Sequence, residues 1–377
     1  MLVQFSLKNF RNFKDTAILD LTEAKITELK SHLYKCSDGL GILPIAAIYG
    51  SNGSGKTNFL KGLWTLRNLV VDVPGVSLKN CSFLFDEECK RLPVEFGVVF
   101  RIKEREYKYQ LKMTDQLVVE ENLYGRNLTN DNFDVLFNRD GECVFLCEAW
   151  EDTDISELTG DTPFLYFLGK WQKEEKLQSI IAYFRSMRYV SEEINTREYL
   201  EEVLQSDKLE QQLYTHLKKM DITIEKIYKM DYGFVVCHEK NGIKVTFDWA
   251  EESLGIVRLI KLLSLILVAR QKGMLILVDT PEFQLNPKVV GYLYRIVTEA
   301  QTEIPFAQMI CATHENSTMN NKIFRRDELW LTGLREDGSS SLYTLALFLK
   351  ENGEKVRKDE TYFKQYLEGR YGACPMI

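Results

Sequence analysis

Histidine is scarce in this chain and cysteine is scattered. Four histidines stand apart at His32, His216, His238 and His314, and of eight cysteines only Cys143 and Cys147 lie close together, with no histidine beside them. A metal site needs several such ligands at short, fixed spacings. A structural metal module is therefore not expected, and the thiols read as reduced. No segment suggests a Ser–His–Asp set or a nuclease-like acidic cluster. Proline is also rare, at 8 residues in 377. No Pro/Gly-rich linker, repeat or low-complexity tract breaks the chain into separate modules. Long apolar runs are missing too. The most apolar stretch, Leu259 to Val278, is interrupted by Lys261, Arg270 and Lys272, so it reads as a buried helix and then a strand, not a membrane span. The start, MLVQFSLKNFRNF, alternates apolar and polar residues without the apolar core of a secretion signal; a cytoplasmic protein is expected. A basic excess is likewise absent. The net charge of −7 argues against a nucleic-acid coat protein, although a total leaves room for a local basic groove.

What is present is one strong motif. Gly50-Ser51-Asn52-Gly53-Ser54-Gly55-Lys56-Thr57 is a complete G-x-x-x-x-G-K-[ST], which arises by accident in on the order of one chain in a hundred of this length. The run Ile45 to Tyr49 before it has strand character, and Asn58 to Leu66 after it has helical spacing. Strand, glycine loop and helix form the frame that the motif requires. The glycines let backbone N–H groups close around phosphate oxygens, and the helix start adds positive charge. Lys56 is expected to reach the β/γ-phosphates of ATP, and the Thr57 hydroxyl to ligate Mg²⁺.

The rest reads as one nucleotide-binding domain split in sequence. Residues 1–149 form an N-terminal lobe, beginning with a strand at Val3 to Phe13 that runs into the phosphate-loop unit. Residues 94–125 alternate as antiparallel strands with turns near Glu104 and Asp115. Residues 150–225 change to charged, helix-forming segments, Glu174 to Met187 and Arg197 to Met220, and read as a helical insert outside the core pattern. Residues 226–377 return to strands and then alternate helix and strand as a C-terminal lobe.

That lobe carries further candidates. Gly273 to Asp279 is an apolar strand ending in an acid, as a Mg²⁺-facing carboxylate at a buried strand end requires. Phe306 to His314 is a second such strand ending in a histidine, which is placed to sense a γ-phosphate. Ahead of both, Glu252-Ser253-Leu254-Gly255 opens an apolar helix with hydroxyl and N–H donors.

In this order the pieces resemble the ABC-type ATPases in their SMC/RecF-like branch, and more narrowly the compact AAA-type ATP-binding proteins of bacterial abortive-infection and anti-phage defence systems. FSLKNFRNF, ESLGIVRL and the closing Tyr366 to Pro375 carry the likeness. The resemblance implies an α/β fold of ABC-ATPase type, a mixed sheet with an antiparallel β subdomain and a helical insert. It makes Asp279 the Walker B acid, His314 the switch histidine, and Ser253 with Gly255 the signature that touches ATP held by a second subunit. A homodimer or higher oligomer, joined head to tail through its ATP sites, follows. The chain departs from the family at Asp279-Thr280-Pro-Glu282, where D-E-x-E is usual. Thr280 stands at the catalytic glutamate's position and cannot accept a proton from water, which leaves Glu282 as the substitute base. The signature reads S-L-G-I in place of S-D-G-T. Slow hydrolysis is expected, and with it a switch that controls a separate, nuclease-like effector. A RecF-like DNA-repair ATPase is the rival reading, with Arg325, Arg326, Lys355, Arg357 and Lys358 as its DNA contacts. A P-loop kinase has no use for the distal motifs, a GTPase would carry Asn-Lys-x-Asp, and a chromosome-organising SMC head would need long heptads.

Overall fold

The computed structural model describes residues 1–72, 76–191, 197–300, 305–350 and 353–374. At its centre is a six-stranded sheet whose order is Arg188–Val190, Leu275–Asp279, Gln308–Ala312, Ile45–Gly50, Leu329–Leu334 and Ser340–Thr344. The first five strands run parallel, and the last pairs antiparallel to its neighbour. Strands from both lobes thus interleave, with the phosphate-loop strand between two strands from the C-terminal half.

Both faces of this sheet are covered, which is why its strands are continuous apolar runs. Side chains alternate across it. Ala46, Ile48, Leu275 and Leu277 enter one core, and Ile45, Ala47, Tyr49, Ile276 and Val278 enter the other. The first core is closed by the helix Lys56–Val71 and by a seven-stranded antiparallel sheet. In that sheet Val94–Ile102, Arg105–Met113 and Val118–Asn127 follow the alternation of the sequence. The opening strand, Leu2–Lys8, pairs with Val94–Ile102 in this sheet; the expected direct run into the phosphate-loop strand is not found.

The second core is closed by the helices Leu254–Lys272 and Pro287–Thr298. Ser253 caps the start of the first through its side chain, and Gly273 ends it in the left-handed region at φ 68, the conformation that glycine adopts without strain. Asn286 caps the second, with Pro287 in its first turn. The apolar stretch from Leu259 is therefore helix and then strand, and no helix among the described residues is long and apolar enough to cross a membrane.

Residues 150–225 differ from the expectation in two ways. The helix anticipated over Arg197 to Met220 is broken into Arg197–Leu204 and Asp207–Lys219, because the Ser206 hydroxyl accepts from Leu209 N–H and starts a new helix. The stretch is also no appendage. Phe164–Trp171 and Glu175–Ser186 pack into the first core, the later pair packs into the second, and Arg188–Val190 is an edge strand of the central sheet.

Candidate nucleotide site

The carboxyl ends of the central strands converge. Register places Asp279 beside Ala312, Ala312 beside Ile48, and Gly50 beside Thr332. Open parallel sheets bind ligands at this edge. The loop after Gly50 turns into the helix at Lys56, so backbone N–H groups gather at a helix start. Gly50 and Gly55 have φ 156 and 104. A Cβ at Gly50 would strike Thr332 and Ser54, and one at Gly55 would strike Asn12. Glycine is therefore required by space as well as by backbone angle. Asn12, from the FSLKNFRNF stretch, buttresses the loop further by accepting from Asn58 Nδ2 at 2.9 Å.

Lys56 is buried, and its ammonium donates to the Gly50 and Ser51 carbonyls at 2.8 and 2.9 Å. Burial lowers its pKa to about 8 against the pull of Asp279 and Glu282. The Thr57 hydroxyl donates to Asp279 Oδ1 at 3.0 Å, and the Tyr189 hydroxyl to Asp279 Oδ2 at 3.1 Å. Two hard oxygens expected to meet Mg²⁺ are thus adjacent, with a second hydroxyl, that of Tyr189, fixing the carboxylate. This donor set fits a cation bound to phosphate oxygens.

Glu282 lies in the same cluster. Its oxygens accept from the Thr313 hydroxyl at 2.8 Å and from the His314 backbone N–H at 2.6 Å, which ties the turn after Asp279 to the segment bearing the histidine. His314 is an exposed residue whose ring faces partly inward, and this partial desolvation, with the charge of Lys56, lowers its pKa. Thr280 adopts φ 53, an outlier conformation for a β-branched residue. Its hydroxyl donates back to the Asp279 carbonyl at 2.8 Å. Ser253 and Leu254 stand exposed at the start of their helix, and Gly255 lies where a Cβ would come within 2.9 Å of the Gln284 carbonyl. The signature turn thus rests on the turn after Asp279.

Sequence reasoning missed Tyr189 and Arg258. Tyr189 lies on a three-residue strand, too short for a periodic signal. Arg258 Nη2 donates to the Thr280 carbonyl at 2.9 Å. An arginine within the apolar run of a helix is buried only with partners, and that signal could have singled it out. The proposed DNA contacts fare differently. Arg325 is fully buried and paired with Asp327 at 2.7 Å, Arg326 pairs with Glu28 at 2.6 Å, and Arg357 with Asp359 at 2.9 Å. Arg325 and Arg326 hold the fold together and do not form a basic surface.

The family model described as "AAA domain, putative AbiEii toxin, Type IV TA system" matches residues 45–142 and 169–320. Comparison with curated proteins finds no match. Among solved structures, the SmcHead bound to the C-winged helix domain of ScpA aligns over 92% of this chain and 98% of its own, at 12% identity and a TM-score of 0.51. The SMC head domain from Thermotoga maritima aligns over 91% and 98%, at 15% identity and 0.47. The recombination mediator protein RecF-ATPrS of the RecFOR pathway aligns over 91% and 98%, at 13% identity and 0.31.

Proposed function

The chain belongs to this AAA-domain family, an ATPase of the SMC/RecF-like ABC type, and from that premise we propose that it is a slowly hydrolysing ATP switch that controls a separate effector in anti-phage defence. One observation carries the reading. The groups that would hold Mg·ATP are assembled around Asp279, while the position of the usual base is filled by Thr280, whose hydroxyl is turned back onto the Asp279 carbonyl. Binding is provided for, and proton abstraction is not.

On this reading the backbone N–H groups of Gly53, Ser54 and Gly55 would surround the phosphates, and Lys56 would exchange its two carbonyl partners for phosphate oxygens. Thr57 and Asp279 would hold Mg²⁺, which neutralises charge between the β- and γ-phosphates. Glu282 keeps His314 beside the γ-phosphate position. With both oxygens already accepting hydrogen bonds, it is a weak substitute base. Ser253, exposed at the start of its helix, would complete the site of a second copy in a head-to-tail homodimer with two shared nucleotides. The two states, closed on ATP and open, are what the effector reads. The family description, with its toxin and Type IV TA system, supports a defence setting.

Steady-state ATPase measurements test this. Wild type is expected below the ~1–10 s⁻¹ of ordinary enzymes, and Thr280→Glu is expected to be faster. A wild type that already turns over at ordinary rates, and is slowed by Thr280→Glu, would sink the switch reading.

A further inference from the structure

The stretch that closes the described chain lies against the start of the phosphate loop. Ser51 N–H donates to the Ala373 carbonyl at 3.1 Å. Tyr371 is fully buried, and its carbonyl accepts from the Tyr343 hydroxyl at 2.5 Å. Gly369 and Gly372 turn the chain at φ 73 and 71. Between this segment and the loop is a cavity of about 800 Å³, walled by Gly50, Asn52 and His314 on one side and by Leu334, Leu367 and Cys374 on the other. Leu334 and Leu367 are 58% and 52% exposed.

Another open leucine lies elsewhere on the molecule. Leu254, between Ser253 and Gly255, is 67% exposed, at the signature position where the resembling family carries an aspartate. An apolar residue at that place has a physical reason if it meets an apolar seat. The charges on either side agree. Residues 248–252 contain Asp248, Glu251 and Glu252 and no base, whereas residues 355–370 carry five Lys or Arg against three acids. Arg357, Lys364 and Arg370 pair with acids of their own segment, so what remains is a net positive segment against a net negative one, and opposite net charge steers encounter.

We propose that Leu254 of a second copy seats in this cavity between Leu334 and Leu367, so that the C-terminal segment is the receiving wall of the ATP-joined pair. The proposal rests on the head-to-tail reading above. It adds the occupant of the cavity, the reason for the departure at Leu254, and a role for the closing segment. In this arrangement Ser253 enters beside the loop residues and His314 from the open side, while Ala373 holds Ser51 in place beneath it.

Cys374, which is free and lines the cavity, supplies the test. Leu254→Cys protein is treated with a thiol oxidant, with and without ATP, and run on a non-reducing gel. A linked dimer is expected with ATP only, and is expected to vanish in Leu254→Cys/Cys374→Ser. Leu367→Lys is expected to weaken ATP-dependent association at least tenfold in sedimentation, with its thermal midpoint showing that the fold is kept. ATP-dependent dimers that never link through Cys374 and tolerate Leu367→Lys would overturn the seat while leaving the shared-nucleotide dimer standing. A wild type that stays monomeric with ATP would overturn both.

Discussion

At the scale of single residues, Lys56 makes two separable predictions. Lys56→Ala should lower ATP affinity tenfold to a hundredfold, from the ~1.5–3 kcal/mol of a charge-assisted bond, while the unfolding midpoint stays near that of wild type. Wild-type affinity by calorimetry would remove Lys56 from the site. The second prediction concerns pH. Only the ammonium form clamps phosphate, and burial holds Lys56 at about 8. Above that pH the free protein must take up a proton to bind. Affinity should therefore be level near pH 7 and fall by up to about tenfold per unit above pH 8. His314, with its lowered pKa, is already neutral there and does not offset the trend. An affinity unchanged from pH 7 to 9.5 would contradict it. At Thr280, Glu should raise turnover by about 10²–10⁴ if it serves as a general base, and Glu282→Gln in wild type should change the residual rate little. These residues were legible in the sequence because each belongs to a contiguous pattern with a chemical reason for its spacing. Tyr189 and the hydroxyl of Thr313 were not legible. Their hydrogen bonds to Asp279 and Glu282 span 90 and 31 residues, and only the folded sheet brings them together.

At the scale of elements, the helix Leu254–Lys272 connects the turn proposed to meet a second copy with the turn after Asp279. Ser253 at its start faces outward, and Arg258, little more than a turn later, grips the carbonyl of Thr280 and lies 5.2 Å from the Phe283 ring centroid. A push on the first turn thus reaches the residue at the usual base position through one rigid helix. Gly255 is the contact point. With Gln284 O only 2.9 Å from the Cβ it lacks, Gly255→Ala must move backbone, at a cost of about 1–3 kcal/mol. We expect a lowered unfolding midpoint, weakened ATP-dependent association and wild-type ATP affinity in the separate chain, since the phosphate loop is untouched. Normal association in this variant would mean that the turn is not at the interface. The helix itself was plain in the sequence, because an apolar run between Ser253 and Gly273 announces both its ends. The antiparallel strands at 94–127 were equally plain, because their alternation matches a sheet with one buried face. The break at Ser206 was hidden, since a serine inside charged helical sequence signals a cap only when the chain turns there.

At the scale of the whole molecule, the stretch from 150 to 225 decides how an effector is reached. Its composition reads as a helical insert outside the core pattern, yet its helices supply Leu177, Ile180 and Phe184 to one core and Leu209, Leu213 and Leu217 to the other. Replacing it with a short linker should therefore abolish cooperative unfolding; a soluble, cooperatively melting deletion would show that the cores stand without it. What the composition could not disclose is that the strand Arg188–Val190 carries Tyr189 to Asp279. This bond ties the stretch to the carboxylate expected at the metal. Trp171 is 57% exposed at the end of the helix Phe164–Trp171, and exposed aromatics of this kind anchor interfaces. If the effector docks here, Trp171→Glu should reduce capture of a nuclease-like effector at least tenfold, leaving ATP binding and the unfolding midpoint in place. Lys56→Ala should alter the same capture from the opposite end of the relay, by keeping the molecule in its open state. Equal capture by wild type, Trp171→Glu and Lys56→Ala would mean that neither this surface nor the nucleotide governs the effector.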